Sequence, residues 1–431
     1  MRRPGPGYGV GFANLRLKNG ITLPSETLST VSPATDKRPE KLVNRRVFGD
    51  AVAMVAALTP SYPVYCLRPA LLRQQARLFL DSFPGRVLYA VKCNPHPRIL
   101  QALHEGGIRH FDTASLTEIA QVREQFRDAH AYFMHPIKIR PHIKTAEHVY
   151  DITHFVVDHM DELEKVMEET DNEDLTIFVR LATPELGGAY DLSQKFGATP
   201  DEAVALLRRV AAEGYTAGLA FHVGSQMLNP WAYKKALEMA GEVLDSSGVE
   251  IQYLDIGGGF PAPYVGQPVP ELAAFIDAIE EGRNRLKLRR DCVLMCEPGR
   301  ALVANGCSLV VQVQLRKAER LYINDGIYGS LSEPALIKIQ MPVRLIRSAE
   351  SVGLEPESDS FKDFTIYGPT CDSFDKLPTP FRLPENVREG DWIEIGQMGA
   401  YTNALATPFN GFYPNTFVEL EDLPPAIGGS D

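Results

Sequence analysis

From Tyr62 onward, short apolar runs alternate with amphipathic segments. Val64–Leu67, Arg86–Val91, Thr176–Arg180, Gly218–His222 and Tyr253–Ile256 show little polar alternation, the pattern of strands buried on both faces of a parallel sheet. Between them, Leu71–Leu80, Leu116–Phe126, Asp161–Glu169, Pro200–Gly214, Trp231–Ser246 and Pro270–Arg285 carry helical patterning, several opening on Asp, Ser or Pro. Repeated strand-then-helix units predict an α/β architecture, a (β/α)8 barrel spanning 60–306. After Cys307 the texture changes to Val310–Leu315, Val343–Ile346, Phe364–Tyr367 and Trp392–Ile395, separated by Gly, Pro and Asp turns. This predicts a C-terminal β-domain over 307–424, of β-sandwich or β-barrel-like form. Residues 1–40 are rich in Pro, Gly, Ser and Thr without a sustained period, so they read as an extended or disordered arm. Residues 41–59 are expected to join the β-domain, and 425–431 to form a flexible tail.

A chain of 431 residues is long enough for this two-part organisation. No stretch of about 18 uninterrupted apolar residues offers a membrane span. Met1–Gly7 begins basic but lacks an apolar signal region, which makes the cytoplasm the expected compartment. The six cysteines form no C-x-x-C pair, which argues against a disulfide scaffold and against a zinc cluster; no metal is expected. A net charge of −11 disfavours nonspecific nucleic-acid binding and modestly favours a cationic small molecule.

In such a barrel the reactive groups belong at the C-terminal ends of strands. Lys92 follows Tyr89-Ala90-Val91, Asp112 follows His110-Phe111, and Arg180 follows Phe178-Val179. His222 follows Ala220-Phe221, Gly257-Gly258-Gly259 follows Asp255-Ile256, and Glu297 follows Leu294-Met295-Cys296. Singly, each has an ordinary structural explanation: a solvated lysine, a satisfied histidine, a tight turn, a surface ion pair. Their order and joint placement argue otherwise.

The ordered segments Tyr89-Ala90-Val91-Lys92-Cys93-Asn94-Pro95, Phe111-Asp112-Thr113-Ala114-Ser115, Phe221-His222-Val223-Gly224-Ser225-Gln226, Asp255-Ile256-Gly257-Gly258-Gly259-Phe260-Pro261 and Glu297-Pro298-Gly299-Arg300 resemble the ornithine/diaminopimelate/arginine decarboxylase family. The resemblance continues through Gly368-Pro369-Thr370-Cys371-Asp372, Gly399-Ala400-Tyr401-Thr402 and Phe409-Asn410-Gly411-Phe412, covering about 45–420. Within the family it leans toward the ornithine-specific members.

This resemblance implies pyridoxal 5'-phosphate as cofactor, attached covalently to Lys92. It implies Glu297 as partner of the cofactor's ring nitrogen and His222 as the group stacked on the ring face. Ser225, the amides of Gly257, Gly258 and Gly259, Gly299, Arg300 and Tyr401 are implied as the phosphate seat. Asp112 and Arg180 are implied beside the imine and the ring's 3'-oxygen. Cys371 is implied to approach from a neighbouring subunit and to help return a proton after carbon dioxide leaves, which makes a homodimer with shared active sites the expected assembly.

Asp372 matches the carboxylate directed at a distal ammonium, with Tyr328 and Phe409 as further substrate contacts. These matches imply a basic amino acid, ornithine or lysine, as substrate, the alternatives being diaminopimelate, arginine or a carrier-bound amino acid, or a non-catalytic homologue acting as a binding protein. One stretch departs from the family pattern. Where ornithine-specific members carry a second acid, this chain runs Leu331-Ser332-Glu333-Pro334-Ala335-Leu336-Ile337; either Glu333 substitutes or the pocket differs.

Overall fold

The computed structural model describes residues 46–184, 186–188, 195–347 and 357–427; the expected N-terminal arm and residues 428–431 of the expected tail lie outside them. Eight parallel strands close a barrel: Arg86–Ala90, His110–Thr113, His130–Phe133, His154–Val157, Thr176–Arg180, Thr216–Ala220, Tyr253–Asp255 and Val293–Cys296. The last pairs back onto the first, Met295 opposite Arg86. The lumen is filled by Leu88, Tyr132, Met134, Val156, Phe178, Ala220 and Met295, so it is a packed core. A larger apolar layer joins the outer faces of the strands to the surrounding helices.

Local chemistry fixes the helix starts that follow the strands. Ser115 accepts a hydrogen bond from Glu118 N at 3.3 Å, while Glu118 reaches back to Ala114 N at 2.7 Å, so helix Leu116–Gln125 begins directly after the Asp112 strand end. Thr199 and Glu202 form the reciprocal version ahead of Pro200–Ala212.

The second body is a nine-stranded mixed sheet built around the long strand Cys307–Lys317. Here the expectation for Val64–Leu67 is corrected: this strand is not part of the barrel. It pairs antiparallel with Cys307–Val310 and parallel with Thr416–Glu419. A four-residue run buried throughout reads alike in either sheet, and its partners stand far away in sequence. Val47–Phe48 adds an edge strand on Thr416–Leu420.

A buried charge cluster ties these strands together. Arg68, 1% exposed, donates to Glu394 at 2.9 Å, Asp422 at 2.8 Å and Ser308 at 2.8 Å. Arg344 donates to the same two carboxylates, at 2.6 Å and 2.9 Å. Loop Gly396–Tyr401 of this sheet reaches the barrel mouth, where Tyr401 N donates to Cys93 O at 2.9 Å and Asn94 Nδ2 donates to Gly399 O at 2.8 Å. Those two bonds set a β-domain tyrosine beside the turn that carries Lys92.

Candidate active site

The C-terminal ends of the barrel strands surround a cavity of about 410 Å³, lined by Lys92, Arg180, His222, Ser225, Gly259, Glu297, Gly299, Arg300 and Tyr401 among others. Lys92 lies in the one-turn helix Val91–Cys93 that ends the first barrel strand, and its Nζ donates to Asp112 Oδ2 at 2.9 Å. The amine faces the cavity, so its side chain is 42% accessible although protein encloses it on the other sides. Burial alone would lower the Lys92 ammonium, but the charges of Asp112 and Glu297 outweigh it and hold it above its usual range. Apo Lys92 is thus an ammonium held in place, and it must lose a proton before it acts as a nucleophile.

Around it stands a group of buried carboxylates. Glu297 ends the eighth strand and is pushed well above the ordinary carboxyl range, by burial first and then by the Asp112 and Asp255 charges. Asp255, fully buried at the end of the seventh strand, is pushed up to about 7 by the same burial, against the Gly257 N–H that it accepts at 2.8 Å. Sequence reading quoted Asp255 only as part of a motif and gave it no role; the only signal was a charged residue closing an apolar run. His222 Nδ1 accepts from Gly224 N at 3.0 Å, which leaves the ring proton on Nε2. Burial, then the Arg180 and Lys92 charges, push His222 well below its usual value, so it presents a neutral ring to the cavity.

The glycine run is shaped by close approach. Gly257 sits at φ +68°, and a Cβ there would stand 2.2 Å from Phe221 O. A Cβ on Gly258 would meet Glu297 O at 2.6 Å and His222 Nε2 at 3.1 Å. Opposite, Arg300 donates to Tyr264 Oη at 2.9 Å and to Ser225 Oγ at 3.3 Å, and its guanidinium lies 5.3 Å from the Tyr401 ring centroid. Arg300 also forms a two-pronged ion pair with Glu333, both side chains being buried. Glu333 is therefore Arg300's partner, and no second acid from the Leu331–Ile337 stretch stands free for a substrate ammonium. Neither Glu333 nor Tyr264 was marked by sequence as a companion of Arg300; no local pattern links positions 33 and 36 residues away.

Several buried polar atoms have no partner among the described residues: Asp112 Oδ1, Asp255 Oδ2 and Arg300 Nε. Orphaned acceptors beside Lys92 and Glu297, and an orphaned guanidinium nitrogen on an arginine that shares the cavity wall with Gly259 and Gly299, fit a ligand with a protonated ring and an anionic tail. Pyridoxal phosphate has that form.

The four remaining expected site residues are not brought together with Lys92 in the chain; none lines the barrel cavity. Cys371 and Asp372 line a second cavity of about 780 Å³ on the β-domain. Tyr328 Oη donates to Asp372 Oδ2, and the Tyr328 and Phe409 rings lie 4.6 Å apart. Asp372 also accepts from Phe374 N at 2.9 Å, and these two bonds hold its carboxyl below the usual range. Of the six cysteines, only Cys371 is exposed.

A parallel barrel with a strand-end lysine on a carboxylate, a neutral histidine facing the cavity and a cluster of glycines and arginine suited to an anion defines a pyridoxal-phosphate enzyme of the barrel type. Residues 70–304 match the family model described as the pyridoxal-binding domain of pyridoxal-dependent decarboxylases, and the chain belongs to that family. It is 35% identical over 347 residues to a lysine/ornithine decarboxylase of Selenomonas ruminantium, covering 78% of this chain and 84% of the relative. Among solved structures it resembles the lysine/ornithine decarboxylase of Vibrio vulnificus complexed with cadaverine, with TM-score 0.73 and 30% identity over 87% of this chain and 100% of that one. It also resembles the arginine decarboxylase of Paramecium bursaria Chlorella virus, with TM-score 0.75 and 26% identity over 85% and 98% of the two chains.

Proposed function

We propose that this chain decarboxylates a basic L-amino acid, ornithine or lysine, to the corresponding diamine, using pyridoxal phosphate and acting as a cytoplasmic homodimer with shared sites. The observation that carries the reading is the Lys92–Asp112 pair, set between the buried Glu297 and the glycine–arginine seat in one cavity. When bound, the cofactor supplies the electron sink that stabilises the carbanion left as carbon dioxide departs.

The chain's own residues divide the remaining work. Lys92 would hold the cofactor through its aldehyde carbon, and Asp112 would orient the amine. Glu297, already favouring its proton, would partner the ring nitrogen and favour its protonated form. His222, neutral and apolar on its face, would pack against the ring, and Arg180 would serve the 3'-oxygen. Gly257, Gly258, Gly259, Gly299, Ser225, Arg300 and Tyr401 hold the phosphate. From the partner's β-domain, Asp372 accepts the distal ammonium, held in orientation by Tyr328 with Phe409 packed behind it. Cys371 returns a proton to the reacting carbon.

The separate cavity around Cys371 and Asp372 supports the shared-site arrangement, since those residues line a different cavity from their own chain's Lys92. The assay is carbon dioxide release from L-ornithine, L-lysine, L-arginine and diaminopimelate, each with wild type and Asp372→Ala. Turnover of a diamino acid is expected, with kcat/KM lowered about tenfold or more by the substitution and the cofactor's visible absorbance intact. Unchanged kinetics with both ornithine and lysine refute the role given to Asp372.

A further inference from the structure

A third concavity lies behind the phosphate seat, outside the barrel mouth. It has a volume of about 390 Å³ and sits between helix Pro69–Ser82, the loop after the glycine run and the start of helix Leu272–Arg283. Most of its wall is apolar, from Leu78, Phe79, Phe260, Phe275 and neighbouring prolines and alanines. Four polar side chains break that wall, Gln75, Glu271, Asn305 and Gln397. Asn305 Oδ1 and Gln397 Oε1 are both buried without a hydrogen-bond partner among the described residues, and Gln397 is only 4% exposed.

Leaving an amide oxygen buried and unpartnered is costly, so two at one site call for donors from elsewhere. Gln397 moreover holds a left-handed backbone, φ +58°, which a side chain bears at a cost. The wall's one charged residue is Glu271; no lysine or arginine lines it. An occupant that donates two hydrogen bonds, carries positive charge and has an aliphatic body answers all three features.

The position of this pocket gives it a consequence. Phe260 lines both it and the barrel cavity. Ala301 of the pocket follows Arg300 of the phosphate seat, and Gln397 lies four residues before Tyr401. Gly399 N donates to Ala304 O at 3.1 Å, joining the two segments into one partition.

We propose that this pocket binds a small aliphatic ammonium compound and that its occupancy is coupled, through the partition, to the hold on the cofactor's phosphate. Linkage makes the coupling reciprocal: an amine that loosens the cofactor is itself bound less tightly by the holoenzyme than by the apoprotein.

Pyrrolidine hydrochloride is a suitable probe, with two N–H donors on one charged nitrogen and an aliphatic ring. Calorimetric titration of the holoenzyme is expected to show one saturable site per chain, and tetrahydrofuran, the uncharged ring without a donor, none. Gln397→Leu removes one acceptor, and Leu78→Trp, at an exposed position on the rim, fills the space; each should weaken binding about tenfold or more. Leu78→Trp leaves Gln397 untouched, so the test stands even if Gln397→Leu fails to fold. At saturating pyrrolidine the dissociation constant of pyridoxal phosphate should shift about threefold or more. No saturable heat, equal binding of tetrahydrofuran, binding that survives Leu78→Trp, or a crystal soak showing only water on both amide oxygens overturns the site. An unmoved cofactor constant overturns the coupling.

Discussion

Arg300 is fastened before any phosphate arrives, and the fastening has a measurable size. Arg300→Met keeps the apolar stem of the side chain but removes every donor to Glu333, Tyr264 and Ser225. Arg300 and Glu333 are only 3% and 4% exposed, so little water replaces the lost partner. Breaking a buried pair by removing one charge costs about 3–5 kcal/mol, because the other charge stays behind uncompensated. The assay is urea unfolding of the cofactor-free protein, compared among wild type, Arg300→Met, Glu333→Gln and the double variant. The double variant replaces the stranded carboxylate with an amide and should recover about 2 kcal/mol or more of the loss. Both proteins lacking Arg300 should bind pyridoxal phosphate weakly, since repair of the fold does not restore the anion seat. If Arg300→Met stays within about 0.5 kcal/mol of wild type and the cycle shows no coupling, the pair is not a buried clamp and the reasoning fails.

Two further outcomes follow from the site. Asp255 has its folded-state pKa raised to about 7 from an ordinary value of 3.8, so its protonated form favours folding. That contribution is full below about pH 4, declines as pH rises, and is gone above about 7, while Glu297 carries the decline further. The melting temperature of the apoprotein relative to Asp255→Asn should fall across this window; a relative rise contradicts the assignment. Shared sites are tested by mixing inactive Lys92→Ala with inactive Cys371→Ala under subunit exchange: half the dimers are then mixed, each with one intact site, and activity returns to about a quarter of wild type. Fully exchanged mixtures as inactive as the parents refute the shared site.

Much of the barrel was legible because parallel strands covered on both faces leave continuous apolar runs, and because Lys92, Asp112, Arg180, His222 and Glu297 each close such a run. Strands His130–Phe133 and His154–Val157 escaped notice since each opens on a histidine and has four residues. Those histidines sit among His110, Tyr132 and Tyr253 in stacked and edge-on contacts, an arrangement that only closure of the barrel creates. Val64–Leu67 was placed in the wrong sheet because its partners, Cys307–Val310 and Thr416–Glu419, lie more than 200 residues away and leave no mark on its own composition. The partnership of Arg300 with Glu333 was hidden for the same reason. A resemblance identifies which residues face a site, but the ion pairs that hold them there are made by tertiary contact.

The most direct measurement is to reduce the pyridoxal-phosphate-loaded protein with borohydride and locate the pyridoxyl group by peptide mapping. The account predicts that the visible absorbance disappears and that the label lies on Lys92, the lysine whose amine opens into the barrel cavity beside Asp112. Lys138 is the instructive competitor, because burial lowers it to about 8, yet its amine is spent on Val156 O at 2.6 Å and on Glu162 at 2.9 Å. A label on Lys138, or on any lysine other than Lys92, contradicts the account.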